Sequence, residues 1–238
     1  MSALAIAHRG DPFAHTENTL DAFGAAVAAG ADMIELDVRR TSDGRAAVVH
    51  DPTLERIWNV RRPVSELTLA DVRELGVPDL AAALDAIPQH VQVMVDYEEA
   101  GVAEPALDAV LEAGALERCV FSGDDFAGHR RIREREPGAR IAATWTLETP
   151  IPDALLDELD AEFYNPSGHV LARDPTALER MRARGTKVSV WTIDEPDDMA
   201  FFLDLGVDAV ITNRIADLVG LLAPGPPQAD RPPERATC

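Results

Sequence analysis

Two carboxylates stand two positions apart inside an apolar run of this sequence. Glu35 and Asp37 alternate with three apolar residues, Ile34, Leu36 and Val38. Successive side chains of a strand point to opposite faces, so the two carboxylates share one face. Because charged groups in an apolar strand are costly unless something compensates them, this face predicts a bound cation or a role in proton transfer.

Two histidines end the apolar runs on either side of that strand. His8 is followed by Arg9 and Gly10, and His50 is followed by Asp51. Histidine can take or give a proton near neutrality because its ordinary pKa lies there. Three strand ends that carry two histidines and two carboxylates therefore predict acid and base chemistry beside a cation site.

Composition restricts the partners of such a site. The 238-residue chain has a formal net charge of −20, which argues against nucleic acid or an anionic membrane as a partner. Its two cysteines, Cys119 and Cys238, make a disulfide framework unlikely and fit a reducing compartment. With no apolar segment of about 18 residues and no signal-peptide core, we expect a soluble, cytoplasmic protein that does not insert stably into membranes.

Short runs typical of strands buried on both faces alternate with helical stretches along the chain. Asn18 is expected to cap a helix that begins at Thr19 and ends before Gly30, and Thr68 begins a capping-box pattern. The predicted strands are Leu4 to His8, Met33 to Val38, Ala46 to His50, Val91 to Asp96, Cys119 to Ser122, Arg140 to Thr146, Glu162 to Asn165, Val188 to Thr192 and Ala209 to Thr212.

This order predicts an α/β fold, a closed (β/α)8 TIM barrel over residues 1–222, followed by a Pro-rich, disordered tail at 223–238. The 46–50 strand follows a turn-rich link, so we interpret it as a small added hairpin strand after strand 2. A doubly wound open sheet is the alternative. In a barrel the active site lies at the carboxyl ends of the strands. Those ends carry His8-Arg9, Glu35, Asp37, Asp96, Ser122, Asn165, Trp191-Thr192 and Thr212-Asn213.

Ordered motifs along nearly the whole chain, the tail excepted, resemble the glycerophosphodiester phosphodiesterase family. They are far more specific together than any one of them alone. The motifs are Ala7-His8-Arg9-Gly10, Glu17-Asn18-Thr19, Gly30-Ala31-Asp32, Glu35-Leu36-Asp37-Val38, Thr41-x-Asp43-Gly44, His50-Asp51-Pro52, Val190-Trp191-Thr192, Asp198-Met199 and the run from Leu205 to Thr212.

The resemblance implies a metal-dependent phosphodiester hydrolase on a barrel that acts on a small-molecule substrate. His8 and His50 would be the acid and base, and Arg9 would contact the phosphate through its fork of donors. Glu35, Asp37 and Asp96 would hold one divalent ion. Oxygen ligands with no cysteine nearby favour Mg²⁺ or Ca²⁺ over Zn²⁺.

The sequence departs from the family pattern after Asp96. The family typically has Glu, one intervening residue and Lys there, whereas this chain has Asp96-Tyr97-Glu98, and its single lysine is Lys187. Glu98 would reverse a charge that faces the phosphate. We therefore expect a substrate with a cationic group that pairs with Glu98, a weakened catalytic step, or another function.

Several alternatives stay open. Arg9 could pair with carboxylates instead of substrate, and Trp191 could line the substrate pocket or close the top of the barrel core. His15, His129 and His169 are interpreted as surface or capping residues. Besides hydrolysis, the chain could be a phospholipase D-like or cyclising phosphodiester lyase, similar to the sphingomyelinase D branch. It could also be a non-catalytic binding barrel.

Overall fold

Eight parallel strands close into a barrel in the computed structural model, which describes residues 3–174 and 176–223. The ring closes because the first strand pairs with both its successor and the last strand. The barrel strands are β1 (Leu4–His8), β2 (Met33–Arg40), β6 (Gln92–Asp96), β7 (Cys119–Gly123), β8 (Arg140–Trp145), β9 (Phe163–Pro166), β10 (Lys187–Val190) and β11 (Ala209–Thr212). The predicted (β/α)8 TIM barrel is confirmed, and the open sheet is wrong.

Helices follow the barrel strands and cover the outside of the ring. Their apolar faces pack on the outward side chains of the strands, so the strands are buried on both sides. The α-helices, of which all but α2 and α3 pack on the ring, are α1 (Leu20–Ala29), α2 (Glu55–Trp58), α3 (Leu69–Glu74), α4 (Leu80–Ala86), α5 (Ala103–Glu112), α6 (Phe126–Arg135), α7 (Asp153–Leu159), α8 (Gly168–Arg173), α9 (Thr176–Arg184), α10 (Pro196–Leu205) and α11 (Ile215–Leu222).

The interior of the barrel is an apolar cluster that lies beneath the polar strand ends. On the inward face of β2, Met33 is followed by Glu35 and Asp37, and on β6, Met94 is followed by Asp96. The inward face thus changes from apolar to acidic toward the carboxyl end, which raises the acidic groups to the mouth of the barrel. The cluster consists of Ile6, Met33, Met94, Val120, Ala142, Phe163, Ala209 and Ile211.

The predicted added strand is present as β3 (Ala46–Val48), which pairs antiparallel with the end of β2. It is two residues shorter than expected, so His50 lies in the bend after the strand and not in it. The sequence analysis missed a second hairpin, β4 (Thr53–Leu54) and β5 (Val60–Pro63), which carries α2. We call residues 46–79 the insertion; a small apolar core of its own supports it.

The predicted cap of α1 was wrong by one residue. Thr19, and not Asn18, is the N-cap, and its hydroxyl accepts a hydrogen bond from the backbone N–H of Ala22. Gly30 ends the helix in the left-handed conformation, with φ of 97°, as a glycine C-cap does. The capping box that begins at Thr68 is confirmed.

Some predictions concern residues outside the part of the chain that the structure describes. Cys119 is buried in β7 as expected, whereas Cys238 and residues 224–238 of the predicted tail lie outside the described residues. Within residues 3–174 and 176–223, no helix combines the length and the apolar character needed to cross a bilayer. The cytoplasmic location stays a prediction.

Candidate active site

The barrel register brings the predicted site residues to one cavity. His8 lies opposite Glu35 across β1 and β2, and Asp37 lies opposite Asp96 across β2 and β6. The cavity has a volume of about 160 Å³. All eight residues predicted from the sequence contribute to its wall. Its lining is His8, Arg9, Glu35, Asp37, His50, Met94, Asp96, Glu98, Ser122, Thr144, Asn165, Trp191, Thr192 and Ile211.

A larger cleft, of about 750 Å³, lies elsewhere on the molecule. It runs between the start of α1 and the α3–α4 connection, and its lining includes His15 and Arg73. None of the eight predicted site residues faces it. The chemistry of the smaller cavity, and not its size, identifies it as the candidate active site.

Three acidic side chains converge in this cavity. Each of Glu35, Asp37 and Asp96 offers a carboxylate oxygen within 4.8 Å of the other two. Burial and repulsion by Asp37 and Asp96 raise the pKa of Glu35 well above its usual value. Burial and the charge of Asp37 likewise raise the pKa of Asp96 to about 7. Three oxygen donors that repel one another are a suitable ligand set for a hard divalent cation.

Arg9 is the guanidinium that faces these carboxylates. Its backbone N–H donates to Glu35 Oε2 at 2.9 Å, and its Nη1 donates to Glu17 Oε1 at 3.0 Å. The Nε atom lies 3.0 Å from Asp37 Oδ2, but this ion pair lacks hydrogen-bond geometry, and Nε has no hydrogen-bond partner. Arg9 thus pairs with carboxylates, as one alternative predicted, while its side chain lines the cavity.

Asn18 is a site residue that the sequence analysis missed. Its Nδ2 donates to Asp37 Oδ2 at 2.7 Å, and its Oδ1 accepts from the Asp37 backbone N–H at 3.3 Å. It adopts a left-handed φ of 57°, which asparagine tolerates better than most residues. Its place in the Glu17-Asn18-Thr19 motif was the available signal, and it was assigned to helix capping instead.

His8 is oriented by a residue from the far end of the chain. Its Nδ1 is 2.8 Å from Asn213 Oδ1, and its Nε2 is 3.9 Å from Glu35 Oε2 inside the cavity. Burial and the nearby charge of Arg9 lower the pKa of His8 below its usual value. The neutral ring, with one nitrogen toward the carboxylates, suits proton transfer.

His50 is oriented by its own sequence neighbour. Its Nδ1 is 2.8 Å from Asp51 Oδ1, and its backbone carbonyl accepts a hydrogen bond of 2.5 Å from Arg39 Nε. Asp51 also accepts two hydrogen bonds from Arg56, which hold its pKa at about 2. Arg56 in turn makes a bidentate pair with Glu17, the carboxylate that also binds Arg9. A continuous chain of ion pairs therefore links His50 to the guanidinium beside the acidic cluster.

A model of the glycerophosphoryl diester phosphodiesterase family matches residues 8–217 of this sequence. The chain belongs to that family. It is 28% identical to a glycerophosphodiester phosphodiesterase of Caldanaerobacter subterraneus, over 94% of this chain and 100% of the relative. It is 32% identical to the probable glycerophosphodiester phosphodiesterase 2 of Mycobacterium tuberculosis, over 91% and 89%. As a member of this family, the protein is a phosphoric diester hydrolase.

Solved structures of the family share the barrel. A glycerophosphodiester phosphodiesterase of Thermotoga maritima has a TM-score of 0.81 and 22% identity, over 93% of this chain and 99% of the other. An Oleispira antarctica phosphodiesterase in complex with the product sn-glycerol 3-phosphate has a TM-score of 0.79 and 21% identity, over 90% and 94%. At these identities the likeness shows the fold.

Glu98 is the residue that, by the family resemblance, was expected to stand in place of a lysine. It is exposed, lines the cavity and makes no ion pair within the described residues. One cation beside it comes from β2: Arg39 lines a small recess with Glu98 and Asp96, and its Nη1 pairs with Glu99 Oε2 at 3.1 Å. Arg39 is distant from Glu98 along the chain and comes near it only through the pairing of β2 with β6, so no local sequence pattern joins the two.

Trp191 lies between the cavity and the core of the barrel, the two places that the sequence analysis considered for it. Its ring lines the cavity and also packs on the apolar cluster inside the barrel. Its Nε1 donates to the backbone carbonyl of Asn165 at 3.0 Å, which fixes the indole across the top of the core.

His129, expected at the surface or in a cap, is fully buried outside the barrel wall. Its Nδ1 is 2.5 Å from the Tyr97 hydroxyl, and its Nε2 is 3.2 Å from the Gly123 carbonyl. Burial lowers the pKa of His129 to about 4. The neutral ring thus ties the end of β6 to β7, and it is a structural histidine with no part in the cavity.

Proposed function

We propose that this protein hydrolyses glycerophosphodiesters to glycerol 3-phosphate and an alcohol. The observation that carries the proposal is one cavity lined by two histidines and three converging carboxylates at the carboxyl end of the barrel. The Oleispira antarctica relative, described in complex with the product sn-glycerol 3-phosphate, supports this choice of product.

We propose further that Glu35, Asp37 and Asp96 hold one divalent ion, Mg²⁺ or Ca²⁺. The ligand set is entirely oxygen, which matches the preference of hard cations. The raised pKa values of Glu35 and Asp96 indicate a mutual repulsion that a bound cation would relieve. When bound, the ion would neutralise charge that develops on the phosphoryl oxygens.

His8 and His50 would divide the two proton transfers. As water forms a bond to phosphorus and the bond from phosphorus to the alcohol oxygen breaks, one ring accepts the proton from water. The other ring donates a proton to the departing alcohol oxygen. In both rings Nδ1 is occupied by a partner, Asn213 or Asp51, so Nε2 is the atom available for these steps.

Arg9 would contact the phosphate. Its guanidinium lines the cavity with the three carboxylates, and its fork of donors suits an anionic phosphate oxygen. The guanidinium already balances two carboxylates, Glu17 and Asp37, which keeps it fixed beside the acidic cluster.

Glu98 would favour substrates whose alcohol carries a positive charge, with Trp191 forming part of the same wall. Glu98→Gln should raise the KM for glycerophosphocholine about two- to fivefold, the range of an exposed ion pair. The KM for glycerophosphoglycerol, whose alcohol is uncharged, should not change. Glu99→Gln is the matched control, because Glu99 pairs with Arg39 and does not line the cavity.

The test is phosphorus NMR of the products from glycerophosphocholine and glycerophosphoethanolamine, with Mg²⁺ or Ca²⁺ and with chelator. Metal-dependent release of glycerol 3-phosphate, abolished by Glu35→Gln, would support hydrolysis at this site. A cyclic phosphate would instead assign the lyase reaction, because the substrate's own hydroxyl would then have attacked. No turnover, with metal still bound, would favour the non-catalytic barrel.

A further inference from the structure

His8 and Asn213 are neighbours because the barrel closes. β1 pairs in parallel with β11 up to Ala7 and Thr212, so the next residues, His8 and Asn213, leave adjacent strand ends together. The resulting contact joins His8 Nδ1 to Asn213 Oδ1 at 2.8 Å across 205 positions of sequence.

A carboxylate fixes which end of the Asn213 amide faces His8. Asp194 Oδ2 accepts a hydrogen bond from Asn213 Nδ2 at 2.8 Å, and Asp194 Oδ1 accepts one from the Asn213 backbone N–H at 2.8 Å. A carboxylate can only accept, so the amide nitrogen must face Asp194. The amide oxygen is then left for His8.

Asp194 is itself held in place. Besides both Asn213 donors, it accepts a hydrogen bond from the Thr212 hydroxyl at 3.1 Å. That hydroxyl oxygen accepts from the Arg214 backbone N–H at 2.9 Å, which leaves its hydrogen free to point at Asp194. The loop after β10 is thus tied to the loop after β11 at the position where the amide must be oriented.

An amide oxygen cannot donate, so the contact with His8 requires the hydrogen to be on Nδ1. The neutral ring then carries a lone pair on Nε2, the nitrogen that lies toward Glu35 in the cavity. In the opposite tautomer, a lone pair of Nδ1 would face a lone pair of the Asn213 oxygen, and Nε2 would present an N–H to the cavity.

We propose that Asn213 and Asp194 are positioning residues, which together fix the ring orientation and the Nδ1–H tautomer of His8 so that Nε2 is a proton acceptor. The proposal rests on the proposed function for its kinetic consequence, because only there does His8 transfer a proton. The tautomer itself is independent of any activity, so the two ideas fail separately.

The direct test is ¹⁵N NMR of the histidine rings in the full chain loaded with Mg²⁺, at about pH 8, where an ordinary imidazole is neutral. The nitrogen that bears hydrogen and the nitrogen that does not have well-separated shifts, and His8→Gln identifies the His8 signals. Wild type should have the hydrogen of His8 on Nδ1. A ring with its hydrogen on Nε2 overturns the proposal, whatever the protein hydrolyses.

The Asn213→Leu variant removes the acceptor and keeps a similar side-chain volume. His8 should then lose its single tautomer, and kcat should fall about ten- to hundredfold with little change in KM, as for other partners that orient a reacting group. Asp194→Asn frees the amide to turn over, and it gives the same test should the leucine variant not fold. An unchanged His8 tautomer in either folded variant overturns the proposal.

The exchanged pair, Asp194→Asn with Asn213→Asp, keeps every hydrogen bond of the group and reverses only the positions of amide and carboxylate. It should restore the Nδ1–H tautomer that the Asp194→Asn variant loses. Trp145→Phe is the control: it removes a 2.7 Å hydrogen bond to Thr149 at another strand end. It should leave the His8 signals unchanged, and a shift of tautomer in this control would show that general loosening, and not Asn213, is responsible.

Discussion

The two histidines of the cavity are held at the same ring nitrogen by different means. On the His50 side, the carboxylate of the next residue, Asp51, contacts Nδ1, and Arg56 from the insertion supports it. On the His8 side, the amide of Asn213 contacts Nδ1, and Asp194 supports it from another loop. The partner of His50 is a neighbour in sequence and carries a charge. The partner of His8 is distant in sequence and uncharged, and the charge of Asp194 lies one residue farther from the ring.

The two rings therefore have different electrostatic surroundings. A carboxylate in contact with imidazole stabilises the charged ring, whereas an amide oxygen fixes the hydrogen with no net charge of its own. The two sides meet at Glu17, which binds both Arg56 and Arg9. The arrangement supports two neighbouring rings with unequal roles in a single reaction, with His8 Nε2 as the proton acceptor under the tautomer proposed above.

The largest expected effect comes from removing either ring. His8→Gln and His50→Gln should each lower kcat for glycerophosphocholine by about 10²- to 10⁴-fold, the contribution typical of a positioned acid or base. Product formation by phosphorus NMR measures it. The double variant should be little worse than the poorer single one, because both rings act in one reaction. His15→Gln, at an exposed histidine outside the cavity, is the control.

The comparison would break if one ring were dispensable. A histidine variant that kept most of its activity would leave that side as a structural support only, and its network of contacts would need another explanation.

The next effect concerns the acidic cluster that lies between the two sides. Because the pKa of Asp96 is raised to about 7 in the absence of metal, a proton must leave before a cation can bind. Calorimetry should find that Mg²⁺ affinity falls by at least about tenfold per pH unit below pH 7, because the pKa of Glu35 is raised as well and its proton must also leave. Asp96→Asn should weaken binding and reduce this dependence.

The same shift gives a sign for stability. Between about pH 4 and pH 7, the folded, metal-free protein keeps a proton on Asp96. The unfolded chain has already given up that proton, because there the pKa of the side chain is 3.8. The contribution of Asp96 to stability should therefore fall as pH rises from about 4 to 7, whereas buried His129, with a pKa of about 4, contributes in the opposite sense. The fall should appear as the difference between wild type and Asp96→Asn, and Mg²⁺ should reverse it. Thermal melts at several pH values test the stability prediction. A Mg²⁺ affinity equal at pH 6 and pH 8 would contradict the release of a proton from Asp96 on metal binding.

A smaller effect is expected from the support of the His50 side. Arg56→Gln removes the bidentate contact with Glu17 and both hydrogen bonds to Asp51. Arg56 is two contacts away from the cavity, so kcat should fall about three- to tenfold, less than the loss of a direct partner costs. Steady-state kinetics measure it, with Arg61→Gln as the control, because among the described residues Arg61 pairs only with exposed Glu55.

Equal losses for Arg56→Gln and Asn213→Leu would remove the distinction between the two sides. It would mean that a partner two contacts away and a partner in direct contact restrain their rings equally.

The contrast between local and remote partners also explains what the sequence could predict. Glu35, Asp37 and the pair His50 and Asp51 follow from alternation and adjacency, which the chain itself dictates. The barrel followed from the repeated strand and helix pattern. Asn213 directly follows a predicted strand, but its contact with His8 depends on the register at which β1 meets β11, and short-range spacing does not encode that register.

The errors have the same origin. Asn18 was assigned to a cap because Asn is a good N-cap residue, yet the fold uses its amide to hold Asp37. The β4–β5 hairpin was missed because its strands are short, and the second, Val60–Pro63, carries two exposed arginines and no clear alternation. His129 looked unpartnered because its contacts, Tyr97 and Gly123, come from other elements.

The smallest effect on activity is expected from changes around His129. Both of its ring nitrogens have partners, as a comparison for the two cavity histidines, but it lies outside the cavity. Tyr97→Phe leaves its buried Nδ1 without a donor, which should cost about 1–3 kcal/mol of stability in urea unfolding. Because the pair lies on the outer side of the barrel wall, kcat should change little. Tyr164→Phe, at another buried tyrosine, controls for loss of a hydroxyl. A large fall in kcat with unchanged stability would instead mean that the outer pair sets the position of Asp96, and the distinction between structural and reacting histidines would then be wrong.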